Sequence, residues 1–334
     1  VLRTMSVSAP SSMATAGSDS PTASSRSIAR AHSRSVRARE AMASGDIDRA
    51  IEAFELLVQL LPNNLSAVYE LAQAYELKGD WEGAIRNLTR IVELDPKFVT
   101  ALFALGRVNI KKGSGQEALD FLYRALSLNT LLGNEEGRAT VLNAIGLANY
   151  YLDRYDEAVR YYEESLSIKR KIGDRRGESA TLSNLAVVHQ VRGEYGKCIE
   201  TYERALAISE DLGDEQGTAE NLINLGTAYE ERGSLDDALE RYKKALKIES
   251  DLGDRMAEIL CLNDIGNIYF TQGRVDDAEV YFQRALEARR QLGEKKGIAV
   301  SLNYLGNIER LRGRHDRDMT KYLEALGIAK DIGW

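Results

Sequence analysis

The chain has 334 residues, 44% hydrophobic and 28% charged with only 4 Pro, a composition of a folded protein that leans towards helix. Four Arg against one Asp leave residues 1–36 at +3 and the remainder at −10 within a net charge of −7, which argues against a nucleic-acid surface because phosphate neutralisation supplies most of such affinity. Cys198 and Cys261 make neither a disulfide framework nor a thiolate metal site, and no apolar run reaches the roughly 18 residues that cross a bilayer. A soluble, cytoplasmic protein without membrane insertion is the expectation.

Residues 1–30 are rich in Ser, Ala and Arg and carry almost no periodic apolar face. Such a segment cannot offset its ordering entropy and is expected to be a disordered tail. Residues 31–130 then read as three short helical hairpins. Ala72 and Gly106 stand 34 residues apart, as do Gly79 and Gly113, Ala84 and Ala118, and Pro62 and Pro96. A fainter first copy holds Ala38, Gly45, Ala50 and Phe54, and its Arg34 and Arg37 stand where later copies have aliphatic residues, which suits a terminal cap.

From residue 131 to 334 the period lengthens. "LLGNEEG" (131–137), "KIGDRRG" (171–177), "DLGDEQG" (211–217), "DLGDRMA" (251–257) and "QLGEKKG" (291–297) recur every 40 residues. Five copies in register exclude a private phosphate or metal loop and mark the seams of a repeat array. Gly213 reads as a left-handed helix stop and Asp214 as the next N-cap, a place that Asn134, Asp174, Asp254 and Glu294 repeat. Gly217 is expected to give room to a neighbouring hairpin. A second small residue keeps the period at Gly146, Ala186, Gly226, Gly266 and Gly306. A third turn signal stands at Gly193, Gly233, Gly273 and Gly313, with Asp153 in the first copy.

Between these turns the apolar spacing is helical: Leu222, Leu225, Gly226 and Tyr229 fall on one face, as do Ala238, Tyr242, Ala245 and Leu246. Small residues in both helices imply close approach of the pair. The last copy departs by placing Asp318 where Ala158, Ala238 and Ala278 stand. A carboxylate between helices is costly, so this hairpin is expected to be an exposed or reregistered end, with apolar surface left uncovered.

The order Leu, Leu-Gly, Tyr, turn Gly, Ala, Tyr/Phe, Ala and Pro resembles the tetratricopeptide repeat, and the 40-residue copies with "LGD" and "LGNIY" are similar to the variant in LGN/Pins-type and bacterial scaffold arrays. The resemblance covers about residues 31–334. It implies an all-α fold, a right-handed α-α superhelix or solenoid of about eight helical hairpins, whose first helices line a concave groove for an extended peptide segment of another protein.

Asparagine recurs on those first helices, although its helix propensity is below average. Asn143, Asn184, Asn224, Asn263 and Asn303 lie two or three residues before the middle small residue, with Asn267 and Asn307 one turn later. An amide can donate to and accept from a peptide backbone, and the resemblance implies asparagine-lined grooves. The alternative is that some of these amides bridge neighbouring repeats. Tyr150, Gln190, Glu230 and Arg310 occupy the next turn, where their variety fits side-chain selectivity. Tyr162, Tyr202, Tyr242, Tyr322 and Phe282 read as core, and His189 as a satisfied core histidine.

The chain offers no convincing nucleophile–base pair, zinc spacing or phosphate loop. The reading is a non-catalytic scaffold with no cofactor, a protein partner and a route to self-association through its uncovered C-terminal hairpin. A sensory or regulatory module of a larger signalling protein is the alternative.

Overall fold

The computed structural model describes residues 23–334, with side chains from residue 31. Sixteen α-helices and no strand make up the described residues. The first pairs are α1 (Ala23–Ala43) with α2 (Ile47–Leu60) and α3 (Leu65–Lys78) with α4 (Trp81–Leu94), followed along the chain by α5 (Val99–Lys112) and α6 (Gly115–Leu131). The longer copies follow as α7 (Glu135–Tyr151) with α8 (Tyr155–Ile172), α9 (Arg175–Val191) with α10 (Tyr195–Asp211), and α11 (Glu215–Glu231) with α12 (Leu235–Leu252). The last two hairpins are α13 (Arg255–Thr271) with α14 (Val275–Leu292) and α15 (Lys295–Leu311) with α16 (His315–Asp331). Because α1 starts at Ala23, helix begins inside the segment that composition assigned to the tail, and residues 1–22 of that tail lie outside the described residues.

Two compact units divide the chain, one ending at Val108 and one starting at Asn109. In the first, Asp46, Asn64 and Asp80 cap α2, α3 and α4 by accepting from the backbone N–H three residues on. Ala38, Ala50 and Phe54 are fully buried where the first hairpin closes. Arg39 pairs with Glu70, tying α1 to α3 at the surface.

The second unit repeats one piece of physics. Asn134, Asp174, Asp214 and Asp254 accept from the backbone N–H three residues ahead, whereas Glu294 makes no such bond. A shorter carboxylate or amide fits the cap geometry; the extra methylene of Glu overshoots it. Gly217 serves this cap rather than the neighbouring hairpin: a Cβ there would come within 3.1 Å of the Asp214 side chain.

Each long hairpin closes over an aromatic ring. A Cβ at Gly146, Gly226, Gly266 or Gly306 would stand only 2.6–2.7 Å from Tyr162, Tyr242, Phe282 or Tyr322. Those glycines let the ring of the second helix lie against the first helix's backbone. Gly306 keeps this contact, so the last hairpin holds the common register. Asp318 is 6% exposed, not at an exposed end. It sits in the first turn of α16, where the helix N-terminus favours an anion, 3.5 Å from His315 Nδ1. Beyond it Met319, Leu323 and Leu326 leave apolar surface uncovered, as expected.

One turn departs from glycine. Asp153 takes the left-handed φ of 57° that Gly193, Gly233, Gly273 and Gly313 take in the other copies. Tyr155 Oη donates to Asp153 Oδ1 at 2.8 Å and partly offsets the strain. Asp153→Gly should therefore raise stability by about 0.5–1 kcal/mol, read as a shifted urea midpoint at unchanged m.

Candidate functional site

On the first helices α9, α11 and α13 one stripe of side chains runs exposed or half-buried along the whole helix. On α9 the stripe is Arg176, Ala180, Asn184, Val187 and Val191; on α11 it is Gln216, Glu220, Asn224, Thr227 and Glu231; on α13 it is Met256, Leu260, Asp264, Asn267 and Thr271. The spacing of four, four, three and four residues keeps these side chains on one helical face. Between α9 and α11 the stripes bound a cleft of about 340 Å³, whose lining includes Asn184, Asn224, Glu220 and Ser209.

The asparagines do not form one row. Asn184 and Asn224 line the cleft, and Asn267 lies half-buried on the same stripe. Asn143 stands one residue off that register and accepts from Asn184 Nδ2 at 3.2 Å, so it steadies Asn184 from the preceding hairpin. Asn263 is turned into a helix seam, 7% exposed, with its Oδ1 lacking a hydrogen-bond partner. Asn303, at the matching place on α15, is exposed. Asn307 accepts from Tyr322 Oη at 2.8 Å, which commits its carbonyl to the core ring.

The next turn is equally mixed. Tyr150 packs its ring against Tyr151 and Tyr155, with centroids 5.3 and 6.1 Å away. Gln190 is half-buried and Arg310 exposed. Glu230 accepts from Tyr242 Oη at 3.0 Å, a bond that fixes the carboxylate at the stripe's edge. His189 is satisfied, its Nδ1 lying 2.8 Å from Glu194 Oε2. Cys198 and Cys261 are buried free thiols whose burial pushes each up to about 12, far from a reactive thiolate.

Reading by residue type missed Asp264. It follows Asn184 and Asn224 at the strict spacing of 40 residues, and only the neighbouring Asn263 hid the match. Burial, together with the nearby Glu230 carboxylate, pushes Asp264 up to about 6. Among the described residues no ion pair reaches Asp264, Glu220, Glu230 or Glu231. Around α11 and α13 the face therefore carries acidic groups, with Leu260 of α13 as an apolar neighbour, whereas Leu147 of α7 and Val187 and Val191 of α9 make the preceding stripes more apolar.

No group of three or more His, Cys, Asp and Glu fit to hold a metal ion occurs among the described residues, and none of their helices is long and apolar enough to cross a membrane.

The tetratricopeptide repeat profile matches residues 98–171, 177–249 and 256–331, and a second profile of the same description matches residues 36–86. No curated protein matches the chain significantly. Among solved structures, the chain is similar to a Signal Transduction ATPase with Numerous Domains (STAND) protein with a tetratricopeptide repeat sensor from Pyrococcus horikoshii. That match has a TM-score of 0.70 at 18% identity, covering 92% of this chain and 48% of the other. The chain thus spans about half of that protein's length. BtubC (BKLC) from P. vanneervenii matches with a TM-score of 0.56 at 21% identity, over 64% of this chain and 90% of its own. Repeats of a putative kinesin light chain from Podosopora anserina match with a TM-score of 0.53 at 17% identity, over 60% of this chain and 98% of theirs. At these identities the likeness is one of fold.

Proposed function

Because the chain belongs to the tetratricopeptide repeat family, whose arrays mediate protein–protein interaction, we propose that it is a non-catalytic scaffold holding an extended peptide segment of a partner along the first-helix stripes of its second unit. The carrying observation is the pair Asn184 and Asn224, which stand in register on adjacent first helices and line one cleft. An amide uses both its donor and its acceptor on a peptide unit, and the two neighbouring first helices α9 and α11 each make that offer. Asn143 holds Asn184 in place, so less side-chain entropy is lost when a ligand binds.

Selection from a random-peptide display library tests the reading. A bound peptide should lose at least about tenfold in affinity on the double substitution Asn184→Ala, Asn224→Ala, with circular dichroism unchanged. Unaltered affinity would return both asparagines to a structural role. A second reading draws on the sensor role that the STAND protein's name gives its repeats: the array would be the regulatory part of a larger signalling chain. An effector domain encoded in the same gene would favour it.

A further inference from the structure

One buried side chain breaks the internal logic of the array. Near the end of the second helix of the long hairpins, one register place faces the following first helix. Lys169 Nζ donates to the Gly177 carbonyl at 2.9 Å and to Thr181 Oγ1 at 2.7 Å. Arg289 repeats this 120 residues later, donating to the Gly297 carbonyl at 2.9 Å and to Ser301 Oγ at 2.8 Å. Ser209, between them, accepts from Asn221 Nδ2 at 3.3 Å. The same register place in α12 is Glu249, and opposite it, where the other copies have Thr181, Asn221 and Ser301, stands the thiol of Cys261. Glu249 is 1% exposed, and neither carboxylate oxygen has a partner. Two other copies, α8 with Lys169 and α14 with Arg289, place a cation of their own here; this copy places an uncompensated acid.

The same stretch of the face carries Glu220, Glu230, Glu231 and Asp264, all without an ion pair among the described residues. Glu220 receives only a 3.4 Å contact from Gln216 Nε2, and Glu230 only the Tyr242 hydroxyl. Glu249 lies close enough to this patch that Glu220 is among the charges that hold its carboxyl above the usual range, after burial itself and Asp254. One repeat earlier, its counterpart Ser209 lines the cleft between α9 and α11. A buried acid on α12 and four unpaired acids on the first helices α11 and α13 share one deficit, which is positive charge.

Resting on the groove reading above, we infer that the α11–α13 part of the face takes a cationic segment, an extended peptide whose lysine or arginine side chains seat against Glu220, Glu231 and Asp264 and reach towards Glu249. The α9 stripe beside it carries Val187 and Val191, and Met256 and Leu260 stand on α13 itself next to Asp264, so apolar residues beside the basic ones complete the complement. A long aliphatic stem with a charged head suits both surfaces at once.

Fluorescein-labelled decapeptides of alternating alanine with lysine, glutamine or glutamate test the inference by anisotropy at low and moderate salt. The lysine peptide should bind at least about tenfold tighter than the other two. That preference should disappear in the double variant Glu220→Gln, Asp264→Asn and in Glu249→Lys, which supplies the cation from within. A control removing two charges elsewhere, Glu200→Gln with Glu210→Gln on α10, should bind like the parent; circular dichroism checks folding of every variant. Equal loss in the control, or a lysine peptide bound no tighter than the glutamine one, overturns the cationic preference. If the glutamine or glutamate peptide binds in a way that needs Asn184 and Asn224, the groove reading stands without it. Binding of none of the three overturns both.

Discussion

Tyr242→Ala should lower the unfolding free energy by about 3–5 kcal/mol, the range for emptying a large aromatic site in a packed core. The ring is 1% exposed, and it lies so close to Gly226 that even a methyl there would come within 2.7 Å of it. No neighbouring chain segment can collapse into that space without moving α11 against α12. The hydroxyl adds a second function, since it bonds Thr227 Oγ1 at 3.1 Å and donates to Glu230 Oε2 at 3.0 Å. Tyr242→Phe isolates that part and should cost only about 1 kcal/mol. In a repeat array, stability is a sum of local and nearest-neighbour terms. Amide exchange should therefore accelerate first in α11 and α12 of Tyr242→Ala, while α7 and α8 keep their protection. A loss below about 1 kcal/mol, or uniform acceleration along the second unit, would contradict the view that each hairpin closes over its own ring.

The fold was legible because its determinants are local and repeated. Gly226, Ala238 and Tyr242 state a helix contact in three residues, and the same contact returns with Gly266, Ala278 and Phe282. Caps were equally readable: Asp214 acts on Gly217 within one turn, so no distant partner is needed. Asp318 shows where such reading stops. The cost of a buried carboxylate was clear, but the compensation from the α16 N-terminus and His315 depends on where that helix starts.

The groove was only partly legible for a different reason. A helix turns about 100° per residue, so a shift of one position moves a side chain from the open stripe into a seam. Grouping Asn143, Asn184, Asn224, Asn263 and Asn303 by type crossed that boundary, and it passed over Asp264, which shares the true register. Charge balance was hidden as well. That Glu249 lacks a partner becomes visible only once Lys169 and Arg289 are seen bonding the following helix.

Asp264→Asn should make the protein more stable at pH 7.5, by about 2 kcal/mol, and leave it unchanged near pH 3.5. Asp264 titrates at about 6 in the folded chain against 3.8 in the free side chain. A raised folded value means that the native state holds its proton more tightly than the unfolded chain does. The stabilising contribution is then complete below the unfolded value, and it is lost as pH rises through about 6. Above that pH the carboxylate is ionised, half-buried and close to Glu230 on α11, with the Tyr242 hydroxyl of α12 also near and no cation in ion-pair reach. The permanently neutral amide escapes this cost; partial solvent screening keeps the gain below the roughly 3 kcal/mol of the full shift. Urea unfolding at the two pH values checks the sign. A destabilised Asp264→Asn at pH 7.5 would show that the carboxylate is already compensated inside the chain. The expected result ties stability to binding: an acid that weakens the empty array is an acid whose counter-charge arrives with the ligand. The same substitution that strengthens the fold should then weaken the lysine peptide's hold.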